Sequence, residues 1–468
     1  MIRRPFRLIG LLFVSSPAAS PAIAQTGTFD LVKTKTVLSG MIEKALKERG
    51  VPSISIALVR GDSIVWKAAF GYANVRTKTP ATTETLYSTG STFKSATATA
   101  LMQLADQGKF KLDQPVNRYL GDIQVQDQIQ SDKPVTFAHM LSHWSGLKAG
   151  AETQPIWGRQ LPKPLDQMVS KLYSVRAPEA KWEYNNYAFG MAGLLVEKIS
   201  GVEYEKYMLE NVLKPLGVAT PHPVYPSPEM VELMALPYMP GGPDGQPRPV
   251  AQVHYDVYPA GDIYLTPEDM ARFLGAHLNG GVFQGHRILS EASVTKMHEP
   301  QFGGTYGFGF FVRKDPNGHT IIYHGGGIPG QSSNMMGDLD AKVGVYYMSN
   351  SGAPPLLAEA ALKLLRGEDY TPPPDKKPIA VDSKVLDSYV GTYERTADVV
   401  FTIAREGSGL IMRRGPNTPA TALLAEAPTK FFIRGQDLTI TFVADEAGAI
   451  DKMVLETNGQ TQDAKRRK

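Results

Sequence analysis

Apolar positions at Leu31, Val37, Met41, Ile42, Ala45 and Leu46 recur at helical spacing and predict a helix across residues 29–49. Two strand-like runs follow, 53–59 and 63–72, separated by Arg60-Gly61-Asp62, which reads as a hairpin connection. The middle of the chain is mixed and rich in Pro and Gly, with helical pieces at 93–107, 187–199 and 267–279. Strands return at 307–313, 320–323 and 343–348, and 356–365 reads as a helix. This order predicts that the early and late strands share one antiparallel sheet flanked by helices, while the middle builds a helical subdomain. The fold class is therefore α+β, not a βαβ alternation.

The character changes after the proline-rich run 371–378. Short β-rich runs recur at 389–393, 399–403, 410–413, 421–424, 430–433, 438–443 and 452–456, with polar or Gly-containing turns between them. Closely spaced strands without helices predict a small antiparallel β-barrel. The tail Lys465-Arg466-Arg467-Lys468 reads as a frayed, solvated end. At the other end, Arg3, Arg4 and Arg7 flank an apolar run, 8–14, that is too short to span a bilayer. Ala22-Ile23-Ala24 fits a small-x-small cleavage site, so residues 1–24 read as an export signal. Arg3-Arg4-Pro5-Phe6 is a weak match to a twin-arginine signal. The expected organisation is a signal peptide (1–24), a main domain (25–368), a linker (369–380) and a barrel (381–468), in a protein that is periplasmic or secreted.

Composition narrows the function classes. Hydrophobic residues make up 42% and charged residues 20%, which is ordinary globular composition. A formal charge of +3 argues against a nucleic-acid partner, whose basic face would dominate the count. The chain has no cysteine, which excludes disulfides, thiolate metal sites and a cysteine nucleophile.

The candidate chemistry starts at Ser91 and Lys94, in the stretch STGSTFKS, three residues apart at the start of a predicted helix. Positions i and i+3 share a helix face, so the two side chains can meet. A serine hydroxyl needs a base to become a nucleophile, and a neutral lysine can serve. Neutralising a free lysine of pKa about 10.4 at pH 7 costs roughly 4.6 kcal/mol, which burial or a neighbouring cation must supply. By itself Ser-x-x-Lys is common and equally fits a solvated helix start. Two further stretches add weight: Tyr184-x-Asn186 ahead of an apolar helix, and His324-Gly325-Gly326-Gly327 at the end of a strand.

In that order the three motifs resemble the serine β-lactamase and penicillin-binding protein superfamily. The likeness is closest to its class C-like branch, which includes family VIII esterases, D-aminopeptidases and related serine hydrolases. HMLSHWSGL at 139–147 is similar to the branch's LLxHxSGL segment, and Ala260-Gly261, PEDMARFL at 267–274, Tyr306-Gly307-Phe308-Gly309 and Ser349-Asn350 also fit. The resemblance covers about residues 30–366, and Tyr389-Val390-Gly391-Thr392-Tyr393 resembles the start of a lipocalin-like module attached to some of these hydrolases.

The resemblance implies that Ser91 forms an acyl-enzyme and that Lys94 and Tyr184 share the acid and base work. Asn186 would bond Lys94 and a substrate amide. His324 takes the position usually held by lysine. The N–H groups of Ser91 and Gly327 would form an oxyanion hole, and glycine at 325–327 lets the substrate approach the strand. The implied activity is hydrolysis of small-molecule esters, amides or peptides, with β-lactamase activity weak at most because a neutral histidine suits a carboxylate poorly. The alternative is a penicillin-recognising sensor or binding protein that acylates and stalls. No metal or organic cofactor is implied and no stable membrane span is expected. The barrel has two open roles, capping the cleft or supporting a homo-oligomer.

Rival motifs weigh less. Gly325-x-Gly327-x-x-Gly330 matches a dinucleotide fingerprint but no helix follows it. His139 and His143 have zinc-compatible spacing but no third ligand, so they read as structural. Trp66, Trp144, Trp157 and Trp182 read as core or cleft wall.

Overall fold

The computed structural model describes residues 28–467, apart from 149–154, 158–163, 171, 219–227, 240–246, 355, 373–375, 397–398, 416–419, 434–437 and 458–459. Residues 1–24, read as a signal, and the side chain of Trp157 lie outside the described set. The elements that position the site are, in chain order, α1 (Leu31–Arg49), β1 (Ser53–Arg60), β2 (Ser63–Asn74), β3 (Thr79–Pro80), α2 (Lys94–Asp106), α3 (Asn186–Ser200), α4 (Pro267–Leu278), β4 (Phe311–Lys314), β5 (Thr320–Ile328), β6 (Gln331–Asp338), β7 (Val343–Ser349) and α5 (Leu357–Leu365).

The sequence SISIALVR makes β1 a strand that is buried on both faces. Its side chains alternate between two cores. Ile54, Ile56 and Leu58 pack with α1 and α5 through Leu38, Ile42, Leu357 and Leu364. Ala57 and Val59 face the other way, with Leu274 and Phe273 of α4. The seven strands run in the order β4-β5-β6-β7-β1-β2-β3, and each pair is antiparallel. The early strand β1 pairs directly with the late strand β7, Ile54 opposite Ser349. This is the pairing expected from the element order. On the α4 side, α2 and α3 build the middle of the chain. Lys94 to Leu104 is buried all round, which its small side chains (KSATATALMQL) permit.

Two late strands differ from expectation. The strand placed at 307–313 begins only at Phe311, because Gly307 donates instead to Phe310 in a tight loop. The strand placed at 320–323 continues through the glycines to Ile328, since backbone pairing with β6 needs no side chain. The partner β6 reads QSSNMMGD and carries no apolar alternation, so its polar residues hid a central strand.

Behind the linker, helix α6 (Ser383–Tyr389) leads into a closed eight-stranded meander: β8 (Gly391–Thr396), β9 (Val399–Glu406), β10 (Gly409–Arg414), β11 (Thr421–Ala427), β12 (Lys430–Phe432), β13 (Thr439–Ala444), β14 (Ile450–Thr457) and β15 (Gln460–Arg466). Its interior is packed with side chains, as a barrel of this strand number allows. Tyr389 stacks on Phe442 with centroids 4.2 Å apart, and Tyr393, Phe431 and Met453 are buried beside them. The basic tail is corrected here: β15 is the closing strand. It pairs with β8 at Tyr393–Arg466, Arg466 donates to the carbonyl of Val390, and Arg467 pairs with Glu394 at 2.7 Å. Charge masked a strand whose buried contact is Ala464.

Candidate active site

Ser91 lies in a 3₁₀ turn, Gly90–Phe93, that leads directly into α2. The polar residues of β6 explain why this turn is fixed. Gln331 accepts from the Ser88 amide at 2.7 Å, and Ser333 donates to the Thr89 carbonyl at 2.5 Å. From the opposite side the Thr89 amide donates to Ile263. Close packing demands glycine at two positions. A Cβ on Gly261 would lie 2.0 Å from the Gly90 carbonyl oxygen. One on Gly326 would lie 2.4 Å from the Thr89 oxygen and 3.1 Å from the Ser91 nitrogen. By contrast, a Cβ on Gly325 would meet nothing within 4 Å.

Lys94 opens α2 and is fully buried. Its Nζ lies 3.0 Å from Ser91 Oγ and 2.7 Å from the carbonyl oxygen of Ala260. Burial holds this amine well below the ordinary lysine value, which favours the form that has a lone pair. At 3.0 Å that lone pair can take the serine proton. Asn186 was expected as the second partner of Lys94; the carbonyl of Ala260 occupies that role. Asn186 is instead the first residue of α3, after the N-cap Asn185, and lines the cavity in front of Ser91.

The Tyr184 ring centroid lies 4.9 Å from Lys94 Nζ. Burial pushes the Tyr184 hydroxyl up, with Ser91 offsetting part of the effect. That hydroxyl nevertheless meets no partner at hydrogen-bond geometry among the described residues. Burial thus disfavours the charge on the Lys94 amine and holds the proton on the Tyr184 phenol.

His324 is buried in β5, and it is tied back into the protein rather than presented to the cavity. Nδ1 faces the Gly325 carbonyl at 2.7 Å, so it carries the ring proton, and Nε2 accepts from Tyr306 Oη at 2.9 Å. Burial, then repulsion from Lys94, lowers its pKa to about 3. Gly327 lies beside the nucleophile turn: a Cβ on Gly90 would fall 2.6 Å from its nitrogen. Sequence reasoning thus named five groups that the fold gathers around Ser91, namely Lys94, Tyr184, Asn186, Gly326 and Gly327. Gly325 faces open space, and the buried His324 ring lies on the Tyr184 side of β5, with the two ring centroids 6.2 Å apart.

The cavity measures about 260 Å³ and is lined by Ser91, Asn186, Tyr255, Asp262, Gly327 and Ile328, among others. Tyr255 and Asp262 were not anticipated. Tyr255 ends a three-residue strand, Val253–Tyr255, and Asp262 lies in a loop, both too short for a periodic signal, although Asp262 follows the Ala260-Gly261 pair already noted. Asp262 accepts from the Tyr255 amide at 2.6 Å, and burial raises its carboxyl.

His139 and His143 do not converge on a metal. His139 caps its own helix through Thr136 and meets Glu179 at 3.0 Å, while His143 Nδ1 accepts from the Asn185 amide at 3.1 Å. A group with metal-ligand spacing, His319, Asp338 and Asp340, is already engaged by a cation, since Arg366 bonds Asp338 at 2.8 Å. The Gly325-x-Gly327-x-x-Gly330 run forms a strand and the Pro329-Gly330 hairpin turn, not a helix start. Among the described residues no helix is long and apolar enough to cross a membrane.

Comparison with known proteins agrees with this geometry. The family profile described as beta-lactamase matches residues 38–367, and a domain of unknown function (DUF3471) matches 375–467. Penicillin-binding protein 4* of Bacillus subtilis is 26% identical over 445 residues, covering 88% of this chain and 95% of that protein. The octameric penicillin-binding protein homologue from Pyrococcus abyssi superposes with a TM-score of 0.63 at 25% identity, over 92% of this chain and 99% of that one. D-amino acid amidase from Ochrobactrum anthropi SV3 superposes with a TM-score of 0.57 at 24% identity, over 72% and 97%, and shares the fold.

Proposed function

Because the chain belongs to the beta-lactamase family, we propose that it is a serine hydrolase that cleaves ester or amide bonds, including those of small peptides, through an acyl-enzyme on Ser91. One observation carries the reading: a fully buried Lys94 amine, its charge disfavoured by burial, stands 3.0 Å from Ser91 Oγ. Ser91 Oγ attacks the carbonyl carbon while Lys94 takes the hydroxyl proton. The N–H groups of Ser91 and Gly327 receive the oxyanion; one such donor is worth about 10²–10³ in rate. The new ammonium lies beside Tyr184 and makes its phenol more acidic, so Tyr184 protonates the leaving group as the carbon–heteroatom bond breaks. Lys94 returns its proton to Tyr184, and water then releases the acyl group and restores Ser91.

A neutral His324, bonded to Tyr306, supplies no cation for a substrate carboxylate, which supports weak β-lactamase activity at most. The test is steady hydrolysis of p-nitrophenyl butyrate by wild type against Ser91→Ala. Turnover that disappears in the variant supports the hydrolase; turnover that persists sinks it.

A second reading is favoured by relatives named penicillin-binding proteins. In it the chain acylates with a penicillin and deacylates slowly, so that a stoichiometric burst replaces turnover. The octameric homologue also supports a homo-oligomer here, to be read from the mass of the intact protein in solution. Export by way of residues 1–24, to a periplasmic or secreted location, belongs to the same proposal. Sequencing the N-terminus of the mature protein tests it.

A further inference from the structure

The segment 181–185 that carries Tyr184 is not itself regular structure, and most of its anchors come from one short segment. The Trp182 indole donates to the Ser142 carbonyl at 3.1 Å. The Asn185 side chain donates to the carbonyls of Leu147 and Lys148. The two peptide N–H groups that flank Tyr184 both go to a single residue, His143. The Glu183 amide donates to its carbonyl at 3.0 Å, and the Asn185 amide to its Nδ1 at 3.1 Å. The His143 ring also lies on the Tyr184 ring, with centroids 4.4 Å apart and an interplanar angle of 40°.

Three features mark this as more than core filling. His143 adopts φ 65°, a left-handed conformation that a histidine takes at a cost. Accepting from Asn185 fixes the ring proton on Nε2, and that buried Nε2–H has no hydrogen-bond partner among the described residues. The ring is walled by Tyr184, Tyr306 and Phe189, so it cannot move independently of Tyr184.

We propose that His143 is the positioning residue for Tyr184, clamping both flanking amides and the ring face so that the phenol is held over the leaving group. This rests on Tyr184 acting as the general acid proposed above. The clamp makes a specific demand on chemistry. A p-nitrophenolate leaves without a proton, whereas ethoxide does not. Two esters with the same acyl group therefore separate Tyr184 function from everything else in the site.

The experiment compares kcat/KM for p-nitrophenyl butyrate and ethyl butyrate in wild type, Tyr184→Phe, His143→Ala and His143→Asn, each checked for folding by thermal melting. Tyr184→Phe defines the signature of a missing acid: a loss of about 100-fold on the ethyl ester and little on the aryl ester. His143→Ala is expected to reproduce that signature. Asparagine tolerates positive φ and offers an oxygen near the place of Nδ1, so His143→Asn is expected to recover about ten-fold on the ethyl ester. The double variant should lose little beyond either single change. Equal losses on both esters in folded His143→Ala, no loss on either, or asparagine no better than alanine would overturn the proposal. If Tyr184→Phe itself lacks the signature, the general-acid role fails and the proposal with it. If wild type has no Ser91-dependent turnover of the aryl ester, the hydrolase reading fails, which is a separate result.

Discussion

The close approach of β5 to the nucleophile turn predicts a sharp difference between adjacent glycines. Replacing Gly326 with alanine would place a methyl group 2.2 Å from Ser333 Oγ and 2.4 Å from the Thr89 carbonyl oxygen. Ser333 can rotate away, but it then gives up its bond to Thr89, worth about 1 kcal/mol. The carbonyl cannot rotate away, so strand and turn must separate by about 1 Å to restore ordinary contact, a misplacement that can cost ~10² in rate. Overpacking of this kind also destabilises by about 1–3 kcal/mol. Gly325→Ala points its methyl group into open space and should leave both quantities near wild type. Thermal melts and kcat/KM on p-nitrophenyl butyrate, measured for the two variants side by side, check the reasoning. Gly326→Ala with wild-type rate and stability, or Gly325→Ala equally damaged, would refute it.

Lys94→Met should abolish turnover and change how stability depends on pH. Below the ordinary lysine value of 10.5 the unfolded lysine gains a proton that the folded one refuses, so wild type loses stability as pH falls until the depressed folded pKa is reached. The stability of Lys94→Met relative to wild type should therefore grow between pH 10 and pH 7 in urea titrations; a constant difference would mean that Lys94 is charged in the fold. The same depressed pKa predicts an acid limb in kcat/KM, with activity falling as Lys94 becomes protonated. Arg366→Ala leaves the fully buried Asp338 without its guanidinium and should destabilise by about 3–5 kcal/mol in urea unfolding. A loss under 1 kcal/mol would show that His319 alone, at 2.7 Å, balances that carboxylate.

The parts of this protein that announced themselves in sequence are those whose burial follows a period. β1, α1, α4 and α5 bury regular apolar faces, and each was placed within a residue or two. The motif residues Ser91, Lys94 and Tyr184 were legible because their types and order are chemically unusual, and the fold brings them together. What stayed hidden is polar structure that acts as structure. The strand β6 presents Gln331 and Ser333 to the nucleophile turn, so its pattern looks like a loop. The strand β15 is mostly polar because a closing strand of a small barrel has one wet face. The Ala260 carbonyl that bonds Lys94 is a backbone atom, and no side-chain pattern reports it. His143 was visible as a histidine, but its grip on both sides of Tyr184 exists only in three dimensions.

The position of β1 between β2 and β7 also sets the order in which the main domain is able to fold. The β1–β2 hairpin is local and forms as soon as its residues are available. The other edge of β1 finds its partner only when residues 343–349 arrive, almost the full length of the domain later. Until then a strand carrying Ile54, Ile56, Leu58 and Val59 presents an unpaired edge, the feature that most readily recruits a second chain. Closing that distance costs loop entropy before any contact offsets it, so sheet completion is slow compared with helix formation in the middle of the chain. The pairing that holds the catalytic domain together is thus also its window of exposure to aggregation, and a nascent chain must be kept apart from its copies until the strand that completes the sheet has been made.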